Sequence, residues 1–225
     1  MKQNKNIAIL LARLDSTRLP RKHFKKIGND YLIDCCLNQL KKGNGYKIVL
    51  ATSDRDIDKP LVEWAINRNI DYFSGDAYNI KNRIKGCVEY FNADSFARVN
   101  ADSPFINAKL IEDAFNFLET NPKVDLYTNL LFRTFPYGYS VEVFNARTFI
   151  DTIDQNPELE NVTSFFYNNQ NSFNIENITN PFGDFSDIRL TVDTFEDLER
   201  LEKLFKSDNN LFDMSLEKLI NYINQ

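Results

Sequence analysis

Short apolar runs alternate with segments of helical spacing through the first half of the chain. The runs are nearly continuous in apolar residues, as in parallel strands buried on both faces, and predict strands over residues 6–12, 46–53, 70–75 and 95–102. The segments between them carry apolar residues about three to four positions apart and predict helices over residues 32–42, 59–69, 79–93 and 107–121. This alternation predicts an α/β sandwich with a largely parallel sheet.

The second half of the chain is less regular. Its pattern predicts strands over residues 125–130, 139–145, 173–180 and 188–194. It predicts helices over residues 146–155, 162–170, 195–207 and 215–225. Because no repeat, low-complexity tract or linker interrupts the sequence, we expect a single domain over residues 1–225.

The overall charge and the apolar runs exclude several classes of protein. A net charge of −5 and a pI near 5.1 argue against a nucleic-acid partner, because such proteins present a broad basic field. The apolar run at residues 7–12 is too short to cross a bilayer and lacks a secretory cleavage site, so we expect a cytoplasmic protein with no membrane partner. Cys35, Cys36 and Cys87 lack metal-ligand spacing, and we interpret them as small buried residues.

Positive charge is concentrated in the stretch ARLDSTRLPRK, which follows the first predicted strand. A loop in this place lies at the carboxyl edge of a parallel sheet, where α/β proteins bind ligands. Ser16 and Thr17 offer hydroxyls, and Arg13, Arg18 and Lys22 offer charges that hold phosphate oxygens. The composition indicates a triphosphate site without the GxxxxGK sequence, and it fits a solvated basic loop equally well.

The same stretch resembles the signature A-R-x-x-S-x-R-L-P-x-K of the sugar-activating cytidylyltransferases. This family includes the CMP-ulosonate synthetases and the spore-coat polysaccharide cytidylyltransferase-like proteins. The matching residues are Ala12, Arg13, Ser16, Arg18, Leu19, Pro20 and Lys22, and Arg21 stands where the family usually has glycine. The resemblance implies a nucleotide-diphospho-sugar transferase-like, Rossmann-like three-layer sandwich with a mixed, mostly parallel central sheet.

Further blocks resemble the family in the same order along the chain. They are LATSD (50–54), the block that ends at Arg83, RVNADSPFI (98–106), FPYGYSVEVF (135–144), LENVTSFFY (159–167) and IRLTVDTFEDLE (188–199). The last two blocks favour the spore-coat-like branch of the family. The chain departs from the family pattern at Asn82, Ala101, Ser140 and Asn161, where the family has Asp, Gly, Asp and His.

The resemblance implies nucleotidyl transfer, in which an acceptor oxygen attacks the α-phosphorus of CTP and pyrophosphate leaves. Asp102 and Asp193 match two metal-ligating aspartates and are expected to bind Mg²⁺, although each could instead cap a helix. Together with Arg13 and Lys22 they are the expected catalytic residues. The residues expected to bind the nucleotide are Leu11, Ala12, Arg13, Ser16, Arg18, Lys22, Thr52, Ser53, Arg83 and Asn100. Residues 1–107 would then form a nucleotide-binding half, and residues 108–225 an acceptor and metal half.

Glu142, Asn161 and Thr163 are expected to bind the acceptor. Glu142 alternates with apolar neighbours, so it could instead point to solvent from a strand. Arg83 lies within a predicted helix, where an arginine is as readily a solvated surface residue. His23 is the only histidine, and we expect it to be a partly exposed loop residue rather than a catalytic base.

The residues and the resemblance together predict an enzyme that transfers CMP from CTP to a sugar acid of the ulosonic type or a related acceptor, with release of pyrophosphate, for surface polysaccharide. The resemblance also implies a homodimer. Three alternatives stay open: transfer to a sugar 1-phosphate or another phosphorylated acceptor, a non-catalytic nucleotide-binding protein, and a glycosyltransferase of similar fold. The last would normally carry a DxD metal motif, which DRD at 54–56 matches only superficially.

Overall fold

A mixed sheet forms the centre of the protein in the computed structural model, which describes residues 5–223. The strands are β1 (Asn6–Leu11), β2 (Lys26–Ile27), β3 (Asp30–Tyr31), β4 (Lys47–Ser53), β5 (Asp71–Gly75), β6 (Ser95–Asn100), β7 (Leu126–Thr128), β8 (Glu142–Asn145) and β9 (Ile175–Asn177). Within the described residues, seven of them form the central sheet in the order β5-β4-β1-β6-β8-β7-β9. Strands β5, β4, β1 and β6 are parallel, and β8 runs antiparallel to both β6 and β7. The predicted mixed, mostly parallel sheet is confirmed.

Helices cover both faces of this sheet. They are α1 (Leu32–Leu40), α2 (Lys59–Asn67), α3 (Ile80–Phe91), α4 (Ala108–Thr120), α5 (Ala146–Gln155), α6 (Val162–Asn168), α7 (Phe195–Ser207) and α8 (Leu216–Ile223). Because successive strand residues point to opposite faces, Ala8 and Leu10 pack with α1, α2 and α4, while Ile7 and Ile9 pack with α3, α5 and α6. The predicted three-layer sandwich is therefore confirmed.

A third apolar cluster joins the C-terminal helices to the loops at the carboxyl edge of the sheet. Leu198 in α7 and Leu219 in α8 pack in it with Leu19, which follows the first strand, and with Val192, which precedes α7. The β2–β3 hairpin, which the sequence pattern did not predict, also belongs to this cluster. Its turn residue Gly28 has φ +61, and a Cβ there would lie 2.3 Å from the Phe205 ring. This cluster holds the basic loop and the segment before α7 on the same side of the molecule.

The predicted strand over residues 188–194 is wrong. The segment is extended but forms only a single parallel bridge, between Arg189 and Tyr137, in the part of the chain that is described. Its backbone groups bond to a loop and to the turn after β6 instead; for example, Val192 N donates to the Asp102 carbonyl. A loop that contains Pro136 and Gly138 lies beside it, and such a loop cannot extend a ladder.

The last helix and the three cysteines also match their predictions. The predicted closing helix over residues 215–225 is observed as α8, and residues 224–225 lie outside the described part of the chain. Cys35, Cys36 and Cys87 are buried and unpaired, as expected. Between residues 5 and 223, no helix has both the length and the apolar composition required to cross a bilayer.

Candidate active site

A cavity of about 590 Å³ opens at the carboxyl ends of β1 and β6. Its floor is formed where Leu11 of β1 lies opposite Asn100 of β6, and the loop after β1 forms one wall. Parallel strands bring their carboxyl ends to one edge, so side chains far apart in sequence meet there. Of the residues expected to bind the nucleotide, those that line the cavity are Leu11, Ala12, Arg13, Ser16, Arg18, Lys22, Arg83 and Asn100.

The loop after β1 is held in place by Asp58, a residue that the sequence pattern did not single out. Its buried carboxylate accepts hydrogen bonds from Leu14 N at 2.6 Å, from the Ser53 hydroxyl, and from Arg55 Nη2 at 3.2 Å. Arg55 also reaches Asp15 at 2.7 Å. Burial would raise the pKa of Asp15, but the hydrogen bond from Arg55 and the charges of Arg13 and Arg55 hold it below its ordinary value. These hydrogen bonds and ion pairs hold the loop in one conformation at the side of the cavity.

Lys22 joins the two aspartates that were expected to bind metal. Its Nζ lies 2.6 Å from Asp102 Oδ2 and 3.0 Å from Asp193 Oδ1, although Asp193 is 171 positions away in the chain. Arg18 Nη2 lies 3.2 Å from the same Asp193 oxygen. Burial would lower the pKa of Lys22, but the two carboxylates outweigh it and raise the pKa. Burial would raise the pKa of Asp193, and the hydrogen bond and charge of Lys22, with the charges of Arg18 and Arg189, hold it below its ordinary value.

Neither aspartate serves as a helix cap. Thr194 is the N-cap of α7, where its hydroxyl accepts from Asp197 N and the Asp197 carboxylate accepts from Thr194 N. The N-cap of α4 is Asn107, whose side chain accepts from Leu110 N. The side chains of Asp102 and Asp193 therefore both face the ammonium group of Lys22, which lies between them.

This pair of carboxylates suits a hard divalent cation. Both oxygens already converge on one positive charge, the Lys22 ammonium group. Among residues 5–223 no group of three or more His, Cys, Asp or Glu side chains is placed to hold a metal ion. A Mg²⁺ ion fits such a donor set, because it commonly takes one or two protein carboxylates and completes its shell with phosphate oxygens and water.

Arg83 reaches the cavity from α3 and is buried rather than solvated. Its Nη1 donates to the Asp76 carbonyl at 2.8 Å, while its Nε has no hydrogen-bond partner within the described chain. Burial and the nearby charge of Arg13 lower its pKa. Thr52 and Ser53, in contrast, are buried outside the cavity lining, and the Ser53 hydroxyl is taken by Asp58.

The expected acceptor residues lie farther along the sheet edge, beyond β6. Glu142 is buried, so it does not point to solvent; Arg98 Nη1 contacts it at 2.6 Å and the Tyr167 hydroxyl donates to it at 2.8 Å. Burial would lower the pKa of Arg98, but Glu142 raises it. Asn161 is exposed and caps α6 by accepting from Ser164 N, and Thr163, two residues later, is half-buried. Arg98 and Tyr167 therefore join the expected residues on this side.

Residues 7–224 match the family described as cytidylyltransferase. The chain belongs to the cytidylyltransferase family. This membership confirms the predicted family and an enzyme of the nucleotidyltransferase class, and it argues against a glycosyltransferase and a non-catalytic protein.

Relatives match this cytidylyltransferase in sequence or structure over nearly its whole length. The spore coat polysaccharide biosynthesis protein SpsF of Bacillus subtilis is 27% identical over 232 residues, which cover 99% of this chain and 95% of that protein. A cytidylyltransferase from Leptospira borgpetersenii has a TM-score of 0.88 at 25% identity, with 98% and 94% of the two chains covered. The CMP:2-keto-3-deoxy-manno-octonic acid synthetase complexed with CTP shares the fold, with a TM-score of 0.65, 15% identity and 91% and 100% coverage.

Two residues of the cytidylyltransferase loop differ from expectation or from the family signature. His23 is buried, not partly exposed, because the short turn Lys22–Phe24 directs its ring under the end of β6, where Nδ1 lies 3.1 Å from the Ala101 carbonyl. Burial and the charge of Lys22 lower its pKa to about 4, so the ring is neutral at neutral pH. Arg21, at the usual glycine position, has φ +54 and places its guanidinium 5.9 Å from the Phe24 ring, outside the cavity.

Proposed function

We propose that the protein transfers CMP from CTP to a sugar acid of the ulosonic type, with release of pyrophosphate, for surface polysaccharide biosynthesis. The observation that carries the proposal is that Lys22, Arg18 and Asp102, which line the cavity, meet Asp193 there through Lys22 and Arg18. The spore coat polysaccharide role in the name of the Bacillus relative and the CMP–sugar acid product in the name of the structural neighbour support it.

The basic loop would bind the triphosphate. Arg13, Arg18 and Lys22 line the same wall of the cavity, and guanidinium and ammonium groups bind phosphate oxygens strongly. Lys22 and Arg18 would exchange their contacts with Asp193 for contacts with the outer phosphates. Arg83, with its unpaired Nε, and Asn100 at the end of β6 would contact the cytidine.

Asp102 and Asp193 would hold Mg²⁺ once Lys22 has turned to the phosphates. The ion would supply neutralisation of the triphosphate charge in the transition state. The acceptor hydroxyl oxygen forms a bond to the α-phosphorus while the bond to the pyrophosphate oxygen breaks, and the hydroxyl proton passes to solvent. His23 takes no part in this transfer, because its ring is buried and directed to the Ala101 carbonyl.

Release of pyrophosphate tests the proposal. CTP and Mg²⁺ are incubated with a panel of ulosonic acids and, separately, of sugar 1-phosphates, and calorimetry measures CTP binding in parallel. We expect turnover with a member of the ulosonic panel, and loss of it by a factor of about 100 or more in Asp193→Asn, which keeps the shape of the side chain. Turnover only with sugar phosphates would show that the acceptor is a phosphorylated sugar rather than a sugar acid. Absence of both turnover and CTP binding would contradict the enzyme assignment.

A further inference from the structure

Two arginines share one aromatic ring on the acceptor side of the site. The guanidinium carbon of Arg133 lies 4.1 Å from the centre of the Tyr137 ring, and that of Arg189 lies 4.9 Å from it. The two carbons are therefore no farther apart than the sum of these distances. Arg133 and Arg189 are called the arginine pair below.

The backbone holds the arginine pair in place. Tyr137 N donates to the Ile188 carbonyl at 2.9 Å and Leu190 N donates to the Tyr137 carbonyl at 2.7 Å, so Tyr137 and Arg189 lie side by side. Gly138 makes this approach feasible, because it has φ +97 and a Cβ there would lie 3.1 Å from the Leu190 carbonyl carbon. Arg200 Nη2 donates to the Arg189 carbonyl at 2.8 Å and secures the other side. The arrangement is therefore built by the chain and does not depend on flexible side chains alone.

The arginine pair is short of negative charge. Arg133 is half-buried, yet it forms no salt bridge within residues 5–223, and its hydrogen bond there is a long one of 3.5 Å to the Ser140 hydroxyl. Ser140 stands where the motif described above has an aspartate. Burial and, to a smaller extent, the charge of Arg189 lower the pKa of Arg133, and the opposing effects of Tyr137, Glu142 and Tyr167 do not restore it. A half-buried Arg133 that has no carboxylate partner and stands beside a second cation is costly, so the local charge balance favours an added anion.

The carboxylates nearby are already engaged. Glu142 is bound by Arg98 and Tyr167. Asp193 lies 3.8 Å from Arg189 through Oδ2, while its Oδ1 is shared by Lys22 and Arg18. Asp193 thus links the arginine pair to Lys22 and Arg18, which would hold the phosphates of the nucleotide. An acceptor bound by the arginine pair would therefore lie next to these phosphates.

We propose that Arg133 and Arg189, held against Tyr137, form an anion-binding clamp for the carboxylate or phosphate group of the acceptor. The inference rests on the proposed function, since it assigns a charged acceptor to that same site. Planar guanidinium groups bind either anion through paired hydrogen bonds, and the aromatic ring orients them before the ligand arrives. The clamp would hold the anionic group while the attacking hydroxyl faces the nucleotide.

Equilibrium binding of small anions tests the clamp without any turnover. Inorganic phosphate and pyruvate, a minimal 2-keto carboxylate, are titrated calorimetrically into the full chain with and without saturating CTP, which fills the phosphate loop. We expect one or both anions to bind in the presence of CTP, and Arg133→Gln and Arg189→Gln each to weaken that binding about tenfold. A preference for phosphate would indicate a phosphorylated acceptor, and a preference for pyruvate a sugar acid.

Two further variants separate a binding role from a structural one. Ser140→Asp supplies Arg133 with an internal carboxylate and should weaken anion binding while both arginines remain. Arg147→Gln is the matched control, because that guanidinium is 85% exposed and pairs with Asp151 on α5, away from the cavity; it should bind anions like the wild type. The clamp is refuted if neither anion binds to the wild type, or if Arg133→Gln and Ser140→Asp bind as tightly as it does.

The proposed function and the clamp fail in different ways. Absence of CTP binding would contradict the proposed function, whereas anion binding that Arg133→Gln removes would still support the clamp. CTP binding with no arginine-dependent anion binding would leave nucleotidyl transfer in place and remove the clamp. Because removal of one of two like charges should not lower the unfolding temperature, a thermal unfolding scan shows whether each variant is folded.

Discussion

Replacement of Lys22 by methionine should expose the repulsion between Asp102 and Asp193. The substitution keeps the length of the side chain and removes its charge. In the native protein the Lys22 side chain is 12% exposed and each aspartate 18% exposed, so all three charges are largely shielded from water. Without the ammonium group, two neighbouring carboxylates would lack their shared counter-ion. We therefore expect the variant to be less stable than the wild type when divalent cations are absent.

The size of the effect follows from the geometry. At an effective dielectric constant of about 20, attraction over 2.6 Å and 3.0 Å amounts to about 6 and about 5.5 kcal/mol. Desolvation of the three groups offsets most of this, and breaking a buried pair costs about 3–5 kcal/mol when one partner is removed. Because these groups keep some contact with water, we expect about 3 kcal/mol, which lowers the unfolding temperature of a chain of this size by about 6–12 °C.

Thermal unfolding followed by circular dichroism measures the loss, first in EDTA and then with added Mg²⁺. Mg²⁺ should restore much of the lost stability in Lys22→Met and raise that of the wild type less, since in the wild type it must displace Lys22. Lys47→Met is the matched control, because the Lys47–Asp71 pair is about half exposed and such pairs contribute less than about 1 kcal/mol. Equal losses in the two variants, or no loss in Lys22→Met, would refute the reasoning.

Four further outcomes can be measured. The lowered pKa of Asp193 means that its contribution to stability is present above its unfolded pKa and is lost as pH falls through the folded value; the difference in unfolding temperature between the wild type and Lys22→Met should therefore narrow below about pH 4. Arg21→Gly should raise the unfolding free energy by up to about 1 kcal/mol in denaturant titrations and leave calorimetric CTP affinity unchanged, whereas Arg21→Ala should give no gain. Glu142→Gln should lose about 2–3 kcal/mol in the same titrations, because the charge of Arg98 then lacks its partner; an unchanged midpoint would contradict this. Gly138→Ala should lose about 1–3 kcal/mol, since alanine disfavours φ +97, and a stable variant would show that the turn relaxes freely.

Residues whose position depends on local sequence could be predicted well. Arg13 and Ser16 closely follow a buried parallel strand, so the edge of the sheet on which they lie was determined by that strand. The same holds for Asn100 at the end of β6. In each case the hydrophobic pattern of the strand was sufficient to place the residue, although its role in binding stays a prediction.

Residues whose environment depends on distant segments could not be predicted. Ser53 is the last residue of a buried strand, but its hydroxyl donates to Asp58, outside the cavity lining. His23 follows Lys22 directly in the sequence, and both lie in the short turn Lys22–Phe24. This turn directs the Lys22 side chain to the cavity and the His23 ring beneath the end of β6. Segment 188–194 has a strand-like sequence but finds a loop beside it, and only the tertiary structure decides which partner is available.

The long separation in sequence between Lys22 and Asp193 has a consequence for the order in which parts of the protein fold during synthesis. The cluster of Lys22, Asp102 and Asp193 is completed only when the backbone of Val192 reaches Asp102 and the last two helices dock on Leu19. During synthesis the amino-terminal part emerges first, so the basic loop can form on its strand while Asp193 is still on the ribosome. A partly made chain would therefore present a phosphate-binding loop with an incomplete centre, and nucleotide turnover would begin only after release of the full polypeptide.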